Sequence, residues 1–139
     1  MDVVHTIQSA VAPVFLISGV GVTIGTLTTR LARIVDRARG MESELARRGK
    51  DAADLHASLE VLARRARLIN AALTLATLSA LLVALVVVLL FADAYVAADL
   101  TVAIAILFVG SMVSLTAAFL VFLIEVRIAT AALRIGVPP

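Results

Sequence analysis

Arg30, Arg33, Arg37 and Arg39 fall within ten positions, in the stretch LTTRLARIVDRARG, directly after 24 uncharged residues, Thr6–Thr29. Arginines massed at the foot of an apolar run can orient a membrane span and snorkel among lipid head groups. They can also form a positive ring that favours anions at a pore mouth. Glu125 is the acidic counterpart, at the end of a later apolar run. An ionisable group at that depth normally faces protein or water and has a partner. Arg67, at the foot of the middle apolar run, is nearest in register, so Glu125 and Arg67 are the expected ion pair. Val121, Ala118, Ser114 and Ser111 share the Glu125 face, and the functional alternative is a proton or cation site along them.

The first run is three-sided when wound as a helix at about 100° per residue. Gly19, Thr23, Thr26, Arg30, Arg33 and Arg37 lie close to one line and are the candidate pore-lining or binding residues. Ser18, Gly21, Gly25 and Thr29 form a small-residue stripe about 120° away. Its Gly21-x-x-x-Gly25 spacing lets two helix backbones approach closely. The partner is either another helix of the same chain or a second copy. Leu16, Val20, Ile24, Leu27, Leu31 and Ile34 make the third, apolar side. Asp36, three residues after Arg33, is placed to pair with part of the arginine charge.

Other chemistry is thin. The chain has no cysteine, hence no disulfide or thiolate reaction. His5 and His56 are far apart and have no zinc-type ligand set beside them, so no metal is expected. No Ser-His-Asp set, phosphate-binding glycine loop with lysine, or paired intramembrane carboxylates occurs, so neither an enzyme nor a cofactor is expected. Nucleic-acid binding calls for basic residues with aromatics. Arg30–Arg67 contains no Phe, Tyr or Trp, and nucleic acid is not an expected partner. Asn70, Thr74 and Thr77 are expected to bond between helices. Asp93 and Asp99 form either an acidic vestibule or a solvated turn.

Positioning these residues is the work of a membrane protein. Hydrophobic residues are 62% of the 139 residues and charged residues 16%, with a mean hydropathy of +1.09. Ordinary soluble domains are about half apolar. Three uncharged runs, 6–29, 71–92 and 100–124, each reach the ~20 residues that cross a bilayer as a helix. The expected fold is all-α: one membrane domain over 1–139 with three transmembrane helices. A cytoplasmic antiparallel helical hairpin over about 30–70 extends spans one and two. No proline separates those segments from the spans, so two helices are expected near Thr6–Arg48 and Ala52–Phe91, closed near Gly49 with Asp51 and Asp54 as cap candidates. A third runs from about Leu100 to Arg134. Pro13 either kinks the first helix or begins it.

Ten of the twelve basic residues lie in Arg30–Arg67, and the other two, Arg127 and Arg134, follow the third span. The opposite side holds Asp2, His5, Asp93 and Asp99. The positive-inside rule therefore expects the N-terminus outside and the hairpin and C-terminus in the cytoplasm. MDVVHT has no basic residue, so the first run is expected to be an uncleaved anchor.

APVFLISGVGVTIGTLTTRLARIVDRAR resembles the signature of a family of small bacterial membrane proteins of unknown function. With the charged middle helices and two further spans, the resemblance covers nearly the whole chain. It implies a three-span protein of the bacterial inner membrane. It implies no activity, cofactor or functional residue.

Three spans are too few to enclose a path alone. The leading expectation is a homo-oligomeric, channel-like protein passing small ions beside the first helix, in contact with membrane lipids. The alternative is a non-conducting scaffold or accessory subunit whose hairpin binds a protein partner.

Overall fold

The computed structural model describes the backbone of residues 3–48 and 53–136 and the side chains of 3–47 and 53–131. Asp2, Gly49, Asp51 and the Arg134 side chain, which entered the expectations above, lie outside the described residues. The described chain is three helices: α1 (Val3–Arg48), α2 (Ala53–Tyr95) and α3 (Thr101–Gly136). At 1.5 Å per residue the shortest, α3, runs ~54 Å and the longest, α1, ~69 Å, each well beyond a ~30 Å hydrocarbon core.

All three are long and apolar enough to cross a membrane, and their burial is of the kind lipid requires. Only 22%, 22% and 17% of the most apolar stretches of α1, α2 and α3 are buried. Phe15, Val22, Ile106 and Val113 are among the large apolar side chains turned outward. Water would penalise that surface at roughly 25 cal/mol per Å²; acyl chains do not.

A seven-residue repeat selects the inner faces. On α1, Thr6, Ala10, Pro13, Val20, Leu27 and Ile34 are buried, with Ile17, Ile24, Leu31, Ala38 and Met41 half-buried between and after them. On α2 the buried set is Leu55, Leu62, Ile69, Ala72, Ala76, Ser79, Val83 and Val86. On α3 it is Ser111, Ser114, Ala118 and Glu125. Steps of three and four, summing to seven, are the spacing of coiled-coil seams. The apolar side of α1 read from the sequence is thus its packing face, with Val20, Leu27 and Ile34 in the core.

The central helix is α2, which packs along both neighbours. Val20 packs with Ala76, and Ile34 with Leu62, so α1 and α2 run antiparallel. Ser111 meets Ser79 and Ser114 meets Leu75, so α2 and α3 do too. Ala72, Ala76 and Ser79 are fully buried, and such small side chains let neighbouring backbones approach in lipid.

Pro13 does not begin α1, which starts ten residues earlier; proline instead sits buried inside the helix. At the far end Asp93 accepts the Leu100 amide at 3.1 Å. Asp99 caps α3 by accepting from the Thr101 amide at 3.1 Å and its hydroxyl at 2.7 Å. Both carboxylates are therefore engaged in shaping the α2–α3 turn. Those two hydrogen bonds, the hydroxyl first, hold the Asp99 carboxyl below its ordinary value.

Candidate functional site

The three seams converge in charge where the apolar runs end. Glu125 of α3 is completely buried, and two arginines close on its carboxylate. Arg30 of α1 donates from Nε at 3.1 Å and Nη2 at 2.7 Å, both to Oε2. Arg65 of α2 donates from Nε at 3.0 Å to Oε1. Arg30 also lies over the Phe122 ring, 5.3 Å from its centroid, where the ring face favours a cation. One carboxylate thus joins all three helices.

Helical phase explains which residues meet. Arg65 stands three residues after Leu62 and four before Ile69, both buried, so it occupies a seam position. Arg67 is turned by about 200° from Arg65 on the same helix and is exposed. The expected Glu125–Arg67 pair is therefore replaced by Glu125 with Arg65 and Arg30. Matching depth in the membrane suggested Arg67; matching phase selects Arg65. Arg30 likewise stands three residues after Leu27 and four before Ile34.

Glu125 gains from this arrangement because a buried carboxylate without partners is heavily penalised. Its two oxygens accept three charge-assisted hydrogen bonds. Among the described residues no buried side-chain nitrogen or oxygen lacks a partner.

The path imagined along Ser111, Ser114, Ala118 and Val121 is filled by α2. Ser111 donates to the Ser79 carbonyl at 3.1 Å and Ser114 to the Leu75 carbonyl at 2.6 Å. The Ser79 and Ser111 hydroxyls lie 3.1 Å apart. Since the Ser111 proton is spent on the carbonyl, Ser79 is the donor to the Ser111 oxygen. These serines tie α2 to α3 and leave no open row of hydroxyls. Asn70, Thr74 and Thr77 are exposed. Thr74 bonds its own helix at the Asn70 carbonyl rather than a neighbour.

The expected pore-lining stripe is divided. Arg30 is drawn into the junction and Thr23 is half-buried; Gly19, Thr26, Arg33 and Arg37 are exposed. Thr23 and Thr26 bond the Gly19 and Val22 carbonyls of α1 itself, each at 3.2 Å. In the helix-packing stripe, Ser18 lines an open groove with Val87 and Phe91 of α2, while Gly21 and Gly25 have no close neighbour. All three are exposed, and a Cβ at Gly21 or Gly25 would meet nothing within 4 Å. Among the described residues no helix of the chain packs closely on Gly21 or Gly25.

His5 and His56 are exposed near opposite ends of the bundle, and no metal-binding group of three or more His, Cys, Asp or Glu residues occurs among the described residues.

A family model described as a protein of unknown function, DUF2721, matches residues 10–135, which takes in most of α1, all of α2 and nearly all of α3. The chain belongs to the DUF2721 family. Its three apolar helices are in keeping with the small three-span membrane protein that the α1 signature implied. The match spans Arg30, Arg65 and Glu125, so the whole junction lies inside the family's extent. No curated protein and no solved structure matches the chain.

Proposed function

We propose that this DUF2721 protein is a self-associating scaffold of the bacterial inner membrane, without enzymatic activity. The observation that carries the reading is the outward face of α1. Ser18, Gly21 and Gly25 stand open, with no atom of their own bundle against the glycines. Lipid gains little from a flat glycine face, whereas a second helix can approach closely along it. A second copy of α1 is the fitting occupant, because a self-complementary patch generates closed symmetric assemblies.

In this reading α1 and α2 continue beyond the bilayer as a cytoplasmic hairpin. Ile34, Leu55 and Leu62 are buried there, which gives it a packed core able to present charged outer faces to a protein partner. Positive residues on that side orient the protein with the N-terminus and the α2–α3 turn outside.

The test is oligomeric state in mild detergent, read by light scattering. Gly25→Leu is expected to leave helicity intact, because the space beside Gly25 is empty, and to shift the assembly towards monomer. Ile24→Leu on the neighbouring inner face should keep the assembly. An oligomer unchanged by Gly25→Leu sinks the proposal.

Conduction is the second reading, favoured by the exposure of Thr26, Arg33 and Arg37 on one helix. A ring of copies could set these beside an axis. Arg30 does not count towards such an arginine ring, because its guanidinium is committed to Glu125.

A further inference from the structure

The junction of Arg30, Glu125 and Arg65 is one negative charge short. Two guanidinium groups share one carboxylate, leaving a net charge of +1 at the level where three apolar helices become charged. Arg30 uses Nε and Nη2, and Arg65 uses Nε. Among the described residues Nη1 of Arg30 and both Nη atoms of Arg65 make no hydrogen bond, and none of them is buried. The side chains are 32% and 15% exposed, respectively, against 0% for Glu125. The unused N–H groups thus reach the surface while the carboxylate does not.

We propose that the junction binds the phosphodiester of an anionic membrane lipid. A phosphodiester supplies the single missing charge and oxygen acceptors for planar guanidinium donors. Glu125 fixes both Nε atoms, and the Phe122 ring underlies Arg30. The donors are therefore held before the ligand arrives, which lowers the cost of ordering them. The depth suits a lipid headgroup, since all three residues stand at the ends of apolar runs. A zwitterionic headgroup fits less well, because its own ammonium would meet the surplus positive charge.

The full chain in mild detergent, offered equal amounts of phosphatidylglycerol and phosphatidylcholine, tests the site by native mass spectrometry of retained lipid. Phosphatidylglycerol should be retained preferentially. Arg30→Gln and Arg65→Gln should each lower that preference about fivefold, the worth of one basic residue near a headgroup. Arg127→Gln removes the same charge from an exposed position of α3 and should change it less than about twofold. Equal losses in Arg127→Gln and Arg30→Gln would mean diffuse attraction and overturn the site. Glu125→Gln keeps both guanidiniums and should keep or raise the preference, which covers arginine variants that fail to fold. Loss of preference in folded Glu125→Gln overturns the proposal. So does inorganic phosphate that displaces the lipid at equal concentration, since the site would then serve a free anion.

Discussion

Arg65 donates to Glu125 at 3.0 Å across the α2–α3 interface, while Arg67, two residues along, faces outward. Arg30 completes the junction from α1. The two outer helices, α1 and α3, are thus tied through one carboxylate that α2 also holds.

Removing Arg65 leaves Glu125 with Arg30 alone, at a buried position. Breaking a buried pair in this way costs about 3–5 kcal/mol, and Arg65→Ala should approach that loss. Arg67→Ala should stay within about 0.5 kcal/mol, as exposed substitutions usually do. Reversible unfolding in mixed micelles, followed by circular dichroism, measures both. Equal costs would place the partner at Arg67 after all.

Asp99 gives the α2–α3 turn a pH response. Its carboxyl value is lowered on folding by the Thr101 hydroxyl and amide. A group depressed in this way binds its proton more readily in the unfolded chain, so it stabilises the folded state above the unfolded value of about 3.9. That contribution falls away as pH drops through the folded value. Amide exchange at Thr101–Ile104, corrected for intrinsic rates, should lose protection on acidification below about pH 4. Asp99→Ala should lose protection at neutral pH and show little further acid effect there. An acid response unchanged by Asp99→Ala would assign it elsewhere.

Much of the fold was legible because lipid imposes strong rules on sequence. The runs 6–29 and 71–92 each lie within one helix, 100–124 lies within α3 but for Leu100, and Leu16–Ile34 of α1 packs on the side its periodicity indicated. The junction was half legible. Glu125 stood out as the acidic residue at the end of α3, but its partners required helical phase from two other elements. The signal was present: Arg65 fits the three-and-four spacing of Leu62, Ile69, Ala72 and Ala76, while Arg67 breaks it. The direction of the glycine stripe was not legible. Gly21-x-x-x-Gly25 states that something can approach closely, and only the packing of α1 on its other side leaves that face open. Ser79, buried against Ser111, had no sequence mark beyond being a small polar residue on the α2 seam.

Topology follows from charge and is open to direct measurement. Basic residues gather at the Arg30–Arg67 end, which should be cytoplasmic. Ala57 and Ala97 are both exposed, on α2 and in the α2–α3 turn. In this cysteine-free chain, single cysteines there should react with an impermeant maleimide from opposite faces of the membrane. Labelling of both from outside whole cells refutes the orientation.

Arg33 separates scaffold from channel. It is exposed on α1 and makes no ion pair among the described residues. The scaffold reading expects no ion flux from the folded, oligomeric protein in liposomes at any voltage. Conduction makes a different demand, because a ring of positive charge at a pore mouth selects for anions. Arg33→Ala should then lower anion preference, and Arg33→Lys should largely keep it, since a pore-mouth field needs charge rather than a planar fork. Exchanging Arg33 with Ala32 keeps the net charge and the orientation signal but moves the charge about 100° around α1. Equal selectivity before and after that exchange would show that the arginines act only by their number, as orientation signals and lipid contacts do.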